Sequence, residues 1–204
     1  MPLSTVLGAQ SLVQPAVCTT ATRPASPYTG QAIYDTTLSQ VLVYNGTAFA
    51  PVSRVLQVVS TTKTSTFTSA VTAFTDITGL SVTITPSSAT STILVMADVS
   101  TYQDASASSA WARLVRGSTG VYLGDAAGSR TQASHMIGWA SGSNGGTPIF
   151  MTFVDSPATT SATTYKVQVG NQSGTTYVNR TSADSDSAVY PRTASSITVM
   201  EISA

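Results

Sequence analysis

Leu80-Ser-Val-Thr-Ile-Thr85, LSVTIT, decides the fold class. Leu80, Val82 and Ile84 face one way, and Ser81, Thr83 and Thr85 the other. That period of two marks a strand with one buried face. Pro86-Ser-Ser88 then turns the chain. The next run, Ile93 to Ser100 (ILVMADVS), begins apolar on both faces, which places it inside a sheet rather than at its edge. Further runs follow at regular spacing: WARLVR (111–116), VYL (121–123), MIGWA (136–140), IFMTFVD (149–155), TYKVQVG (164–170), TYVN (176–179) and SITVMEI (196–202). Upstream lie VLQVVSTT (55–62) and a region with Phe67, Val71, Phe74 and Ile77. The loops between them are rich in Gly, Ser and Thr, as in Gly117–Gly120 and Ser141–Thr147. Roughly nine or ten strands without an amphipathic helix predict an antiparallel sandwich or jelly roll. The closing strand is expected to be central and well paired. In WARLVR, Arg113 and Arg116 fall on opposite faces.

Composition supports an all-β chain. Of 204 residues, 9% are charged, against roughly 25% in ordinary soluble domains. Glu occurs once, at Glu201, and Lys twice, at Lys63 and Lys166, so strong helix formers are scarce. Ser and Thr make up nearly a third of the chain, and Thr and Val suit pleated structure. The formal net charge is zero. That removes the electrostatic basis for binding nucleic acid or an anionic membrane. It also favours self-association, which a protein built into an assembly tolerates.

Cys18 is the only cysteine, so no intrachain disulfide forms. The opening MPLSTVLGAQSLVQPAVC lacks a basic leader segment, which argues against a signal peptide. No apolar stretch reaches membrane-spanning length. Residues 1 to about 22 are expected to form an extended arm, and Thr22-Arg-Pro-Ala-Ser-Pro27 a stiff connector. Gln31–Asp35 and Val41–Tyr44 then form a β-hairpin, with a turn dipeptide at Asn45-Gly46. A hairpin alone is marginal in water, so it must pack on something. The expected organisation is an arm and hairpin over 1–53 and a sandwich body over 54–204.

Chemistry is sparse. His135 is the single histidine, and no Gly-x-Ser-x-Gly elbow accompanies it. His/Cys metal sites are excluded by count, and Asp184-Ser-Asp186 reads better as an acidic loop than as a calcium site. No catalytic residue, metal or cofactor is expected, and the chain reads as a non-enzyme. Flat amphipathic side chains could meet a sugar. Trp111 and Trp139 lie in strands and default to packing, whereas Tyr102, Tyr190 and Arg192 lie in or beside loops and are the surface-contact candidates.

The segments Thr22–Ala25, Gly30–Thr36 (GQAIYDT) and Val43–Phe49 (VYNGTAF) resemble a short module of tailed-phage tail fibres and other virion structural proteins. In the body, TSTILVMADVS, DSPATTSATTY, TTYKVQVG and SITVMEI resemble C-terminal domains of the same class. The resemblance implies a jelly roll like those of tumour necrosis factor and complement C1q, associating as a homotrimer. It implies a place in a virion, assembled from host-cytoplasmic protein, with other virion proteins held through the N-terminal module and a host surface glycan as a further partner. Two roles follow: a small trimeric fibre or tip that meets the host surface, or a capsid decoration protein; a free carbohydrate-binding domain is the outside reading. In a trimer, Ile33, Tyr34, Leu42, Tyr44 and Phe49 are expected to pack around one axis, each large side chain contributing roughly 1.5–3 kcal/mol when fully buried.

Overall fold

A computed structural model describes residues 15–103, 109–137 and 146–204. The chain divides into two compact units, Met1–Arg54 and Val55–Ala204.

In the first unit the hairpin is part of a larger sheet. β1 (Ala16–Cys18) pairs in parallel with β2 (Ala32–Asp35), β2 with β3 (Gln40–Tyr44), and β3 with β4 (Phe49–Pro51). The last part of the expected arm is therefore an edge strand. The chain escapes it through a 3-10 turn, Thr20–Thr22. A third and fourth strand supply what an isolated hairpin lacks. Asp35 ties the turns together from a fully buried position. Its carboxylate accepts from Arg23 Nε at 2.8 Å, Thr20 Oγ1 at 3.0 Å, and the backbone N–H groups of Thr37 and Leu38 at 2.9 and 3.2 Å. Burial raises its pKa, but those donors, Arg23 foremost, outweigh it and hold the group below the ordinary carboxylate value.

The second unit is a sandwich of two sheets. One contains β7 (Thr75–Ile84), β9 (Ala110–Arg116), β10 (Thr119–Val121), β11 (His135–Ile137) and β13 (Thr163–Asn171). Its path is β10-β9-β13-β7, with β11 also on β9. The other contains β5 (Val55–Lys63), β6 (Phe67–Ser69), β8 (Thr92–Gln103), β12 (Gly146–Asp155), β14 (Thr176–Val178) and β15 (Ser195–Ile202). β8 has β12 along one edge and β15 then β14 along the other, and β15 lies between β8 and β5. The doubly apolar run is thus interior to its sheet, and the closing strand is central. All of these body pairings are antiparallel.

The core lies between the sheets. Leu80, Val82 and Ile84 meet Ile93, Val95, Val99, Ile149, Met151, Ile197 and Val199, with Leu114, Tyr165, Val167 and Val169 beside them. Ile77 also points inward although three residues, not two, separate it from Leu80. A register shift opposite Lys166–Gln168, with Gly79 at φ +81°, resets the face. Trp111 packs on Gly170, where an added Cβ would lie 2.5 Å from its Nε1. That confirms a packing role for this Trp; Trp139 lies outside the described residues.

Candidate functional site

The two sheets present different faces to solvent. On the β7 sheet, Asp76 accepts from Lys166 Nζ at 2.7 Å and Gln168 Nε2 at 2.6 Å. Arg113 donates to Gln168 at 2.7 Å and covers the Phe74 ring at 4.0 Å. This is a charged, hydrogen-bonded surface. Burial raises the Asp76 pKa, but Lys166 and Gln168 outweigh it and the group sits below its ordinary value.

The β8 sheet is nearly bare of charge. Its outward rows, read from the register, are Val154–Leu94–Met200–Val58, Thr152–Met96–Thr198–Ser60, Phe150–Asp98–Ser196–Thr62 and Gly146–Tyr102–Tyr177–Thr68. Asp98 is the single charged side chain in these four rows. Phe150 is 66% exposed, and Val58 and Val154 are each 54% exposed. Alternation explains the pattern. The inward partners of the same strands fill the core, so the outward positions are free to be Thr, Ser, Met and Val.

At the tyrosine end of this face a cluster gathers. Tyr102 and Tyr177 are cross-strand partners, and the Tyr102 ring lies over Gly146, where a Cβ would come within 2.5 Å of it. The Arg180 guanidinium stands 4.8 Å from the Tyr177 ring centre. Asp184 links Arg180 at 3.2 Å and Arg192 at 2.6 Å. Asn179 positions the loop that carries them. It is buried, takes φ +61°, which Asn tolerates, and donates to the carbonyls of Lys63 and Ser65 at 2.8 and 3.1 Å. It also accepts from Ser195 Oγ at 2.6 Å.

Of the sequence-chosen contacts, Tyr102 and Arg192 therefore belong to this end of the body. Tyr190 is half-buried in the same loop, its N–H bonded to Ser187 O at 3.0 Å. Arg180 and Tyr177 complete the cluster, and their pairing depends on a long-range strand register. Of Asp184-Ser-Asp186, Asp184 pairs with two arginines. Among the described residues no group of three or more His, Cys, Asp or Glu gathers as a metal site. His135 sits on a three-residue edge strand opposite Ala112.

In the first unit the five packing candidates separate. Ile33 and Leu42 are cross-strand partners and already fully buried in one chain. Tyr44 and Phe49 pack on each other, ring centres 5.3 Å apart. Tyr34 shares the opposite face with Val17, Val41 and Val52, which are 62%, 42% and 66% exposed. The valines and Tyr34 form an apolar patch, and Tyr28 and Leu38 are further exposed apolar side chains among the described residues of this unit.

No family model and no curated protein matches this chain. Among solved structures, it is similar to a chain of the IBDV viral particle at 12% identity and TM-score 0.40, over 78% of this chain and 42% of that one. A chain of the infectious bursal disease virus Gt strain matches at 14% identity and TM-score 0.36, over 88% and 50%. A chain of infectious bursal virus-derived T=1 particles matches at 13% and 0.39, over 87% and 48%. This chain spans half or less of each of those chains. At such values the matches assign no role.

Proposed function

We propose that this chain is a homotrimeric structural protein of a tailed-phage virion, a small fibre or tip. Residues 1–53 attach it to other virion proteins, and the body at 54–204 meets the host surface. The observation that carries the reading is the outer face of the β8 sheet, where Asp98 is the one charge in the four outward rows. Four strands about 4.8 Å apart and nine residues of β8 give a face on the order of 500 Å². Around a threefold axis each face meets parts of its two neighbours in heterologous contacts, and three such faces together offer on the order of 1,500 Å², in the range of specific interfaces. With one carboxylate per face, three copies can meet without a large field of like charges. The zero net charge of the chain removes long-range repulsion between copies. The Tyr102–Tyr177 pair with Arg180, Asp184 and Arg192 offers flat rings and hydrogen-bonding groups, the chemistry that suits a glycan.

Localisation on intact particles tests the role. Antibody label at the tail supports the fibre, label spread over the shell makes it a decoration protein, and label on neither overturns the virion reading. Light scattering tests the assembly: a mass three times the 21.0 kDa chain is expected. A monomer at micromolar concentration would overturn the trimer.

A further inference from the structure

At the end of the sandwich, away from the tyrosine cluster, Arg116, Asp155 and Tyr165 bridge the two sheets. Asp155 is buried at the end of β12. It accepts from Tyr165 Oη at 2.6 Å and from Arg116 Nη1 through both oxygens, at 2.9 and 2.8 Å. Burial, reinforced by Asp155, pushes the Tyr165 phenol well above its ordinary pKa, so it remains a proton donor to the carboxylate. The pair thus locks the guanidinium in place through one of its three nitrogens. The Nε–Nη2 edge makes no hydrogen bond to any described residue. That edge is the fork whose two parallel N–H groups match a carboxylate.

Arg116 lines an open pocket of about 340 Å³ with Pro157, Thr159, Ala162, Thr163 and Thr164. Its lining contains no acid. Its hydroxyls are partly committed: Thr163 Oγ1 donates to Ser161 O at 3.0 Å, and Thr164 Oγ1 pairs with Thr83 Oγ1 at 2.8 Å. Thr159 Oγ1 accepts from Ser161 N at 3.0 Å, which leaves its own proton to give. The donors left to the pocket are thus Arg116 and the Thr159 hydroxyl, beside an apolar wall at Pro157 and Ala162. Its volume stands at the small end of ligand pockets, roughly 300–1,000 Å³.

We propose that this pocket binds the carboxylate of an acidic sugar, with the Nε–Nη2 edge of Arg116 on the carboxylate and Thr159 on a ring oxygen or hydroxyl. Asp155 and Tyr165 act as positioning residues that pre-orient the guanidinium. The binding requires only the folded body and stands apart from any role on a particle.

Saturation-transfer NMR on the full chain tests it, with sodium glucuronate as the probe and glucose, glucuronamide and acetate as comparisons. Glucuronate is expected to bind, with glucose and glucuronamide about ten-fold weaker or more, because a site built to pair with a charged acceptor rejects the analogue lacking it. Arg116→Lys keeps the charge and loses the fork, so it should weaken glucuronate by about ten-fold. Thr159→Val, remote from the ion pair, should weaken it by a few-fold without loss of folding. Equal binding of glucuronate and glucuronamide would overturn the proposal, whatever the folding of the arginine variant. Acetate competing as strongly as glucuronate would overturn the sugar assignment.

Discussion

Two residues show how a single position answers to groups far away in the chain. Gly170 lies in a strand interior, where glycine is usually unfavourable. Here the Trp111 ring and the Thr72 carbonyl leave no room: an added Cβ would sit 2.5 Å from Trp111 Nε1 and 3.0 Å from Thr72 O. Gly170→Ala should therefore destabilise the body by about 1–3 kcal/mol through overpacking, seen as a lower midpoint in urea. An unchanged midpoint would mean that Trp111 moves freely. Asp35 and Glu201 make the pH prediction. Burial raises both, but Arg23, Thr20 and backbone N–H groups outweigh it at Asp35, as Gln57 and Ser87 do at Glu201. Both carboxyls are thus depressed in the folded chain. Stability from a depressed carboxyl is fully present above its unfolded value, roughly pH 4, and is lost as pH falls through the folded value. Thermal melts should hold level from neutral pH to about pH 5 and fall below pH 4. The Asp35→Asn variant should reduce the acid sensitivity of hydrogen exchange in β2 and β3. An acid profile identical to that of the parent would remove Asp35 from the account.

Elements were legible in the sequence where the apolar pattern is strict and hidden where pairing partners lie far off. LSVTIT, TYKVQVG and SITVMEI alternate in sequence and each is a strand, and in the first the expected residues Leu80, Val82 and Ile84 face the core. β1 is three residues of small apolar chain with no period of its own. It forms because β2 offers it an edge, a long-range pairing that leaves no local mark. The Ile77–Leu80 spacing likewise breaks a period-two count, because the bulge at Gly79 is a property of two strands together. The loop after β14 is tied to β5 and β15 by Asn179, beside turn bonds of its own such as Tyr190 N–H to Ser187 O. Asn179→Gly keeps the positive φ and removes three side-chain hydrogen bonds, to Lys63 O, Ser65 O and Ser195 Oγ. It should cost about 1–3 kcal/mol and make 180–194 more open to proteolysis. If cleavage there is unchanged, the loop is held by Arg180, Asp184 and Arg192 instead.

For the whole molecule, the decisive contrast is between the ion-paired outer face of the β7 sheet and the charge-poor outer face of the β8 sheet. A charge placed on the second face should disrupt assembly with little effect on the fold. Met200→Asp and Val58→Asp are expected to shift light scattering toward a single chain mass while strand content by circular dichroism is kept; a trimer that persists in both would place the interface elsewhere. Composition and the period of two were enough to specify an all-β chain with antiparallel sheets packed as a sandwich, because residue type and alternation act locally. Ile33 and Leu42, expected to pack around a trimer axis, are buried as cross-strand partners within their own chain. Tertiary structure alone decided which outward residues share a face, that Tyr177 and Arg180 stand beside Tyr102, and that Arg116 is held with one edge free. Strand order and register bring those groups together across tens of residues, and no local pattern encodes a partner at that distance.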